Sequence, residues 1–381
     1  MNEEVSLMPK NDNAGLFIAI AVVMFVLGAE YMAARRKGKK IFRFENTIAN
    51  ISMGIFDRIA GVFMVPIIFF YFHFLHQNFA IFNIPETTAW FLVAVLCSDF
   101  TWYFYHRSGH RINLFWGAHI IHHQSEDYNY TVAFNLTPFQ VFVRVLFWSA
   151  MPILGFSAKT VLGTHLVIGL YQFLLHSPLI PKLGIIEEFM VTPSHHRVHH
   201  GSNEKYLDKN FGGVFIVWDR LFGTFEREDE EVSYGITKDI NSRGFLTGVF
   251  HYYGNLLHMM RQMPTFSGKM NVLFKGPDWV PTTGALQHLS LYVDKGTYQY
   301  KKYTLAQKTY IISSLVLTIL VLGFMSAYIT YFPPFGLELA TMFILTTLVS
   351  LGRMMEKEPV LWLELIKYGV VFGYLAYQFL G

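Results

Sequence analysis

The side chains in this sequence best suited to chemistry are its histidines, which number 16. Eleven of them fall between His106 and His200, mostly in three short boxes. The first box has the spacing H-x3-H from His106, and the next two have H-x2-H-H from His119 and from His196. Residues three and four apart share one face of an α-helix. Each box is therefore predicted to be helical and to direct two or three imidazoles to one point.

This density of imidazoles indicates bound metal. Protonated rings would repel one another, and neutral buried rings would each leave a donor and an acceptor to satisfy. Unrelated interfacial histidines are the alternative, which the repeated spacing disfavours. The boxes offer more nitrogen donors than one six-coordinate ion can hold, so two metal ions are predicted. The candidate ligands are His106, His110, His119, His122, His123, His196, His199 and His200.

The identity of the metal does not follow from the ligands alone, because imidazole suits iron, copper and zinc. The boxes follow apolar segments, which favours chemistry on a lipid chain, and oxidation of an unactivated C–H bond requires iron or copper with O2. We therefore expect two iron ions (Fe2+), with zinc able to occupy the same nitrogens. A metal transporter is an alternative of another class, but transport would require ligands along a pathway near the bilayer midplane.

The elements that must position the boxes are membrane spans. The 381 residues are 52% hydrophobic and only 15% charged, whereas a soluble protein carries about 25% charged residues. A single cysteine excludes a disulfide framework and a zinc-finger site, and the net charge of +3 gives no indication of nucleic acid as a partner. The predicted fold class is an all-α integral membrane protein, a multi-span helical bundle with a cytoplasmic histidine-rich helical di-metal domain.

Eight apolar segments are candidate spans, since about 20 helical residues cross the hydrocarbon core. Basic residues between Arg35 and Arg43 place the end of the first segment in the cytoplasm. Alternate crossings then place the histidine boxes, and the active site, on the cytoplasmic side. The fourth, fifth and seventh segments are short enough to be re-entrant or buried instead. The segments are 15–34, 59–75, 88–105, 138–156, 160–175, 308–331, 337–351 and 361–380.

These segments divide the chain into four predicted regions. Residues 1–87 hold the first spans and a basic cytoplasmic loop, and residues 88–230 form the di-iron domain. Residues 231–305 form a cytoplasmic or interfacial segment, and residues 306–381 hold the last spans. Six histidines outside the boxes have no spaced partner and are expected to pack or to lie at the interface, namely His73, His76, His165, His251, His258 and His288.

The boxes and their surroundings resemble the fatty acid hydroxylase/sterol desaturase superfamily of integral-membrane di-iron enzymes. The resemblance covers residues 89–228 strongly, and the stretches SEDYN and DKN are similar to its ether-lipid-cleaving branch. It is carried by DF at 99–100, HR at 106–107, HHQSEDYN at 122–129, QFLLH at 172–176, TPSHHRVHHG at 192–201, DKNF at 208–211 and WDRLFGTF at 218–225.

The resemblance implies an O2-dependent monooxygenase that hydroxylates the carbon next to the ether oxygen of alkylglycerol-type lipids. Members with the same boxes also act on fatty acids, sterols and carotenoids, so hydroxylation or desaturation of such a chain is the alternative. The implied partners are a lipid substrate, the membrane and an electron-donor protein or soluble reductant. The resemblance makes His176 a metal ligand, and it leaves His195 as a ligand or as a hydrogen-bond donor beside one.

Three polar residues near the boxes are candidate catalytic residues. Asp99 lies seven residues, or two helical turns, before His106, and a carboxylate in an apolar span is a functional candidate. We expect it to accept the spare N–H of a ligating histidine, unless it only caps a helix end or pairs with a basic neighbour. Asp127 and Asn210, like Glu126, are candidates for the same role or for contact with a lipid head group, with a solvated loop as the alternative.

One departure from the family pattern concerns the reductant. In the resembling enzymes a glutamate associated with a pterin cofactor follows the second histidine of the first box, and Arg111 stands there in this chain. Arginine stays charged and donates hydrogen bonds without accepting any. We therefore expect that tetrahydrobiopterin is not the reductant and that electrons come from a protein or another soluble donor.

Overall fold

The computed structural model describes residues 13–237, 240–279, 298–329, 332, 335–356 and 361–380. Within this part of the chain there are fourteen α-helices and no β-strand, which confirms the predicted all-α class. The helices are α1 (Asn13–Arg36), α2 (Phe44–Phe79), α3 (Thr88–Arg111), α4 (Asn113–His123), α5 (Gln140–Trp148), α6 (Ala150–Leu154), α7 (Ala158–Leu175), α8 (Pro193–His199), α9 (Val217–Phe222), α10 (Phe245–Gln262), α11 (Phe266–Phe274), α12 (Leu305–Tyr328), α13 (Gly336–Glu356) and α14 (Leu361–Leu380). His288, expected to pack or to lie at the interface, is outside the described residues.

Five of the described helices, α1, α2, α7, α12 and α13, are long and apolar enough to cross a membrane. Large apolar side chains along them are left uncovered by protein. Phe25 on α1 is 75% exposed and Leu320 on α12 is 64% exposed. Such a surface is unfavourable in water and favourable in lipid. The chain is therefore a multi-pass membrane protein, as its composition predicts.

Three predicted spans are not among these five helices. The segment 138–156 is broken into α5, with nine residues, and α6, with five, and α6 ends at Gly155 with a φ of 118°. Neither piece approaches the roughly 20 residues that a span requires. Helix α3 continues past its predicted end at residue 105 and carries the polar first box in its last two turns. Helix α14 carries Glu364 and Lys367, whose carboxylate and ammonium pair at 2.5 Å.

The contacts group the chain into two units. One unit comprises residues 1–40 and 301–381 and contains α1 and α12 to α14, with α13 packed on both α12 and α14. The other unit comprises residues 41–300 and contains α2 to α11. All the histidine boxes lie in this second unit, so one compact body is responsible for their geometry.

The core of the second unit fixes the helices that carry the boxes. Helix α3 packs on α4, α5 and α7. Trp148 and Phe72 are fully buried in the cluster that joins α2, α3, α5 and α7. On the other side, Tyr252 and Leu256 of α10 pack on Trp116 of α4. Helix α4 is therefore held from both sides while its histidines remain in the interior.

Candidate metal centre

The three boxes are helical, as their spacing predicts. Helix α3 carries the first box and α4 carries the second. Helix α8 begins at Pro193, whose fixed φ suits the first turn of a helix, and carries the third box up to its C-cap residue His200. His176 is the C-cap residue of α7. All of these histidines are buried.

Nine histidines form two groups. In each group, one nitrogen from every member lies within 4.8 Å of those of the others. The groups adjoin each other, because the ring centroids of His123 and His200 are only 4.4 Å apart. The structure thus brings together the eight box histidines and His176. The first group consists of His106, His110, His119, His123 and His199, and the second of His122, His176, His196 and His200.

Ring nitrogens within each group face one another at short range. The Nε2 atom of His119 is 3.1 Å from Nε2 of His106 and 3.2 Å from Nε2 of His123. The Nε2 atom of His176 is 3.1 Å from Nε2 of His196. The Nε2 atoms of His106, His119 and His123 converge, and one N–H donor can form a hydrogen bond to only one of the other two nitrogens. A separation of about 3 Å is, however, what adjacent ligands have around an ion with metal–nitrogen distances of about 2.1 Å.

Buried ring nitrogens without a hydrogen-bond partner give a second test of the fit to metal. Among the described residues, no partner reaches Nε2 of His110, His199 or His200. An unsatisfied buried polar atom costs about 1–3 kcal/mol. A cation in the first group would satisfy the atoms of His110 and His199, and a cation in the second would satisfy that of His200. An all-imidazole donor set without thiolate suits iron, copper or zinc, so the residues present fit the expected metal.

Backbone carbonyls orient three of the rings. A carbonyl oxygen only accepts, so each bonded Nδ1 carries the proton and the opposite Nε2 keeps a lone pair for metal. These contacts could not be found from the sequence, because any residue type supplies a carbonyl. The bonds run from His106 Nδ1 to the Phe211 oxygen at 2.9 Å, from His176 Nδ1 to the Gln172 oxygen at 2.8 Å, and from His199 Nδ1 to the Lys209 oxygen at 2.9 Å.

Burial also keeps the rings neutral. Loss of solvation, followed by repulsion between neighbouring rings, lowers the pKa of six box histidines well below its usual value. They are His119, His122, His123, His196, His199 and His200. At neutral pH these imidazoles therefore have a lone pair available, and a metal ion would not need to displace a proton.

Asp208 is a site residue that the sequence did not single out. One carboxylate oxygen lies 3.5 Å from Nδ1 of His110 and the other lies 3.2 Å from Nε of Arg111. Burial opposes the charge on Asp208, but its hydrogen bond to His110 and the nearby arginine lower its pKa overall. The sequence signal that could have identified Asp208 is its place in the DKNF stretch at 208–211, which resembles the family. Its contact with His110 joins distant parts of the chain and leaves no spacing pattern.

Asp99 does not contact a ligating histidine, contrary to expectation. Its fully buried carboxylate accepts the backbone N–H of Val214 at 2.6 Å and that of Phe215 at 3.1 Å. It also accepts the indole N–H of Trp218 at 2.8 Å. The carbonyl of Phe211 has the role that we expected for Asp99, because it accepts the N–H of a ring in the first group. Asp99 instead holds the loop that carries this carbonyl.

Two glycines allow that loop to approach the buried carboxylates. A Cβ on Gly213 would collide with Oδ1 of Asp99, and a Cβ on Gly212 would lie 3.0 Å from Oδ2 of Asp219. Asp219 accepts the backbone N–H of Phe211 and of Gly212, both at 2.7 Å. The two aspartates therefore hold successive parts of the segment whose Phe211 carbonyl orients His106.

Asp127 and Asn210 also bond to neighbouring parts of the chain. Asp127 accepts the backbone N–H of Arg43 at 2.8 Å and the amide of Asn46 at 3.0 Å. The Asn210 amide donates to the backbone oxygen of Glu226 at 2.8 Å and its oxygen accepts the N–H of the same residue at 2.9 Å. Neither residue belongs to the two histidine groups. Both connect segments that carry or flank the boxes.

His195 lies outside both groups. Its Nδ1 accepts the backbone N–H of Thr192 at 3.4 Å, across the first turn of α8. The ring contacts Phe225 edge-on, with centroids 5.6 Å apart. The sequence left two roles open for His195, a metal ligand or a hydrogen-bond donor beside one. In the structure its ring contacts Thr192 and Phe225 rather than a member of either group. It caps the helix that carries the third box.

Comparison with known proteins places these residues in a family context. The model of the fatty acid hydroxylase family matches residues 91–224, which include both histidine groups. The chain is 38% identical over 247 residues to alkylglycerol monooxygenase from Homo sapiens, covering 64% of this chain and 55% of that protein. It is 33% identical over 331 residues to alkylglycerol monooxygenase from Xenopus tropicalis, covering 85% of this chain and 73% of that protein.

A bacterial relative is more distant. The chain is 26% identical over 162 residues to an ornithine lipid hydroxylase from Rhizobium tropici, covering 41% of this chain and 47% of that protein. No solved structure matches the chain. The chain thus spans about half to about three quarters of the length of the relatives described here.

Proposed function

Because the chain belongs to the fatty acid hydroxylase family, we propose that it is a membrane-bound, O2-dependent di-iron monooxygenase of alkylglycerol-type lipids. The observation that carries the proposal is the pair of adjacent, buried, all-imidazole groups in a multi-pass membrane protein. The relatives named alkylglycerol monooxygenase support the ether lipid as substrate. Hydroxylation or desaturation of a fatty acyl, sterol or carotenoid chain is the alternative outcome.

Each histidine group would hold one iron ion. Bound ferrous iron supplies the activation of O2 that oxidation of an unactivated C–H bond requires. The chain contributes neutral imidazole rings in fixed orientations. Backbone carbonyls accept the Nδ1–H groups of His106 and His199, and the Asp208 carboxylate faces Nδ1 of His110. The buried packing around the groups excludes water from the reacting carbon. Fixed ligands and a dry site are the protein's part of the catalysis.

The atoms and electrons of the proposed reaction on an alkylglycerol balance as follows. The carbon next to the ether oxygen gains a hydroxyl whose oxygen comes from O2, and the second oxygen atom leaves as water with two electrons and two protons from an external donor. The resulting hemiacetal collapses to a fatty aldehyde and glycerol. The protein must hold the reacting carbon beside the metal groups for this to occur.

The proposal is tested with purified, iron-loaded protein, an alkylglycerol, O2 and a reductant. We expect two irons per chain and one fatty aldehyde formed for each O2 consumed. Zinc-loaded protein is the matched control and should be inactive, since zinc has no redox chemistry. Oxidised acyl, sterol or carotenoid products without aldehyde would replace the ether-lipid proposal by its alternative.

Our proposal for the reductant concerns Arg111. Its side chain is 53% exposed and pairs with Asp208, which itself contacts His110. A guanidinium cannot accept a hydrogen bond from a pterin, but it can bind a phosphate or a carboxylate. We propose that the donor is a protein or another soluble donor and that tetrahydrobiopterin is not required.

The expected result is turnover with a ferredoxin system and none with tetrahydrobiopterin alone. Both arms use the same iron-loaded protein, alkylglycerol and O2, and aldehyde formation is measured. Arg111→Glu is the matched variant, since it restores an acidic residue at this position. Sustained turnover with the pterin alone, unaltered in Arg111→Glu, would show that Arg111 is merely a tolerated surface residue.

We further propose that the metal groups lie on the cytoplasmic side, as the basic residues after the first span indicate. A reporter inserted between Glu226 and Glu231 is then expected to be cytoplasmic. One fused after Gly381 should be outside if α14 crosses the membrane in addition to the five apolar helices. Glu230 is on the exposed loop after the third box, so an insertion directly after it leaves the pair of Glu228 and Arg197, which holds the third box, in place. An exterior location for the inserted reporter would overturn the orientation.

A further inference from the structure

Two short helical elements, one on each side of the third box in the sequence, expose large apolar side chains. One is the 3₁₀ helix Gly184–Glu188 with its C-cap residue Phe189, and the other is α9. Ile185 is 79% exposed, Phe189 is 62% exposed and Leu221 is 67% exposed. We call this set of exposed side chains the apolar rim. It consists of Ile185, Ile186, Phe189, Val217 and Leu221.

Polar contacts join these two elements into one surface. The backbone N–H of Ile216, directly before α9, donates to the Phe189 oxygen at 3.1 Å. The Arg220 guanidinium of α9 pairs with the Glu188 carboxylate at 2.8 Å. The rim is therefore contiguous, and contiguous exposed apolar side chains mark contact with a membrane or with another protein.

An apolar stripe leads to the rim along α7, one of the five helices that are long and apolar enough to cross a membrane. Leu166, Leu170 and Leu174 are exposed at intervals of four residues, so they share one helix face. Near the end of this helix the Tyr171 hydroxyl donates to the Val191 oxygen at 2.6 Å. This bond holds the segment after the 3₁₀ helix against α7.

A second stripe of the same kind lies on α3. Leu92, Leu96 and Phe100 are exposed, again four residues apart. The Phe100 ring packs edge-on against Trp218 of α9, with ring centroids 5.0 Å apart. Both stripes therefore end at the rim, beside the helix ends that carry histidines. Because the rim continues the exposed apolar surface of α3 and α7, lipid is the partner that it fits.

The charged side chains around the rim suit the head-group layer of a bilayer. The Glu188 carboxylate is paired with Arg220 at 2.8 Å and with Arg227 at 3.3 Å. Glu187 accepts the backbone N–H at the start of its own short helix at 3.0 Å. Both carboxylates thus have partners within the protein. Lys182 is exposed next to the rim, and a long basic side chain can extend its charge to a lipid phosphate.

Helix α7 indicates the level of the rim in the bilayer. Its 18 residues correspond to about 27 Å of helix, which is close to the roughly 30 Å of the hydrocarbon core. Its C-cap residue, His176, therefore lies where the core ends, and His176 is a member of the second histidine group. The rim adjoins this end of α7 through the bond between Tyr171 and Val191.

We propose that the apolar rim is inserted into the interfacial layer of the bilayer and holds the histidine groups at the level of the lipid head groups. Apolar side chains of interfacial elements reach about 5–10 Å into the boundary between head groups and acyl chains. The rim is then a membrane-docking surface in addition to the apolar spans. This inference goes beyond the proposed function, because it holds whatever reaction the metal groups catalyse.

The test measures how deeply the rim lies in the membrane. Full-length protein with a fluorophore on one introduced cysteine is reconstituted in phosphatidylcholine nanodiscs, which expose both faces of the bilayer. The rim positions are Ile185→Cys, Ile186→Cys and Leu221→Cys, each combined with Cys97→Ala because Cys97 is the single native cysteine. The quenchers are aqueous iodide and lipids with a nitroxide near the top or near the end of the acyl chain.

Labels on the rim should be quenched more by the shallow nitroxide than by the deep one. Iodide should quench them about fivefold less than a label at Asp229→Cys, the aqueous reference, whose side chain is 54% exposed. Leu320→Cys, on the span α12, is the reference for the membrane interior and should be quenched most by the deep nitroxide. Because all of the labelled positions are exposed, the Tm of each variant in detergent should equal that of Cys97→Ala.

Iodide quenching on the rim equal to that at Asp229→Cys would show that the rim lies in water and would overturn the proposal. Protection of the rim labels from both iodide and the nitroxides would also overturn it, because another protein, such as a second copy of this chain, would then cover the rim. Neither outcome affects the monooxygenase proposal, which is tested by product formation.

Discussion

Replacing His122 or His199 with alanine is expected to abolish turnover and to lower the bound metal. His199 belongs to the first group and His122 to the second, so each variant removes one ligand from one group. Loss of a contact that merely orients a ligand costs roughly 10–100-fold in affinity or activity, and loss of the ligand itself should cost more. Membrane insertion should be unchanged, because it depends on the apolar spans. Iron content per chain, aldehyde formation and membrane recovery are the measurements.

The controls are two histidines outside the groups. His258 is exposed on α10, and His258→Ala should leave metal content and activity unchanged. His195 is the stricter control, since it is buried directly beside the third box. His195→Ala should retain both metals, while loss of the capping bond and of the buried ring should cost about 2–4 kcal/mol of stability. Full activity with two metals in either ligand variant would refute the di-iron assignment.

The local part of the site could be predicted from the sequence. Helical spacing brings His119 beside His123 and His196 beside His200, and the structure confirms both pairs within single groups. Adjacent residues on a helix point about 100° apart, so the third member of each box faces another direction. His122 therefore joins the second group, and His199 joins the first. Helix geometry allows this division, but only tertiary contacts determine it, such as those of the His122 ring with His176 and of the His123 ring with His199.

The parts of the site that depend on tertiary contacts could not be predicted. The seven-residue spacing of Asp99 and His106 is consistent with one helix face, yet a loop from residues 211–218 lies against Asp99 and occupies its carboxylate. The orienting carbonyls have no sequence signature. The break between α5 and α6 was not predicted either, although the shortness of residues 138–156 left a re-entrant or buried segment open. These residues are apolar on both sides of the break, and hydropathy does not distinguish a span from two short helices.

The buried carboxylate of Asp99 leads to the second large expected effect. Asp99→Ala would leave three donors unpaired, namely the buried N–H group of Val214 and the partly buried N–H group of Phe215 and indole N–H of Trp218. An unpaired buried donor costs about 1–3 kcal/mol and a partly buried one costs less because water can reach it, so a total loss of about 3–5 kcal/mol is expected. For a unit of this size the loss corresponds to a fall in Tm of roughly 10 °C.

The same substitution should also affect the metal, although Asp99 is not a ligand. Release of the loop would displace the Phe211 carbonyl, which fixes the proton of His106 on Nδ1. Without that bond the ring can present N–H instead of a lone pair to the first group, which weakens metal binding by roughly 10–100-fold. Thermal unfolding in detergent and metal titration measure the two effects separately.

Asp229→Ala is the matched control, because it also removes a carboxylate but at a site that is 54% exposed. Water and salt screen an exposed ion pair, so this variant should resemble the wild type in both measurements. The Tm and metal affinity of Asp99→Asn should lie between those of Asp99→Ala and Asp229→Ala. The amide oxygen of Asn can still accept a hydrogen bond, but its NH2 group would face an N–H donor and could not accept from it. If Asp99→Ala unfolded like the wild type and bound metal equally well, the loop would be held by other contacts, and the link from Asp99 through Phe211 to His106 would be wrong.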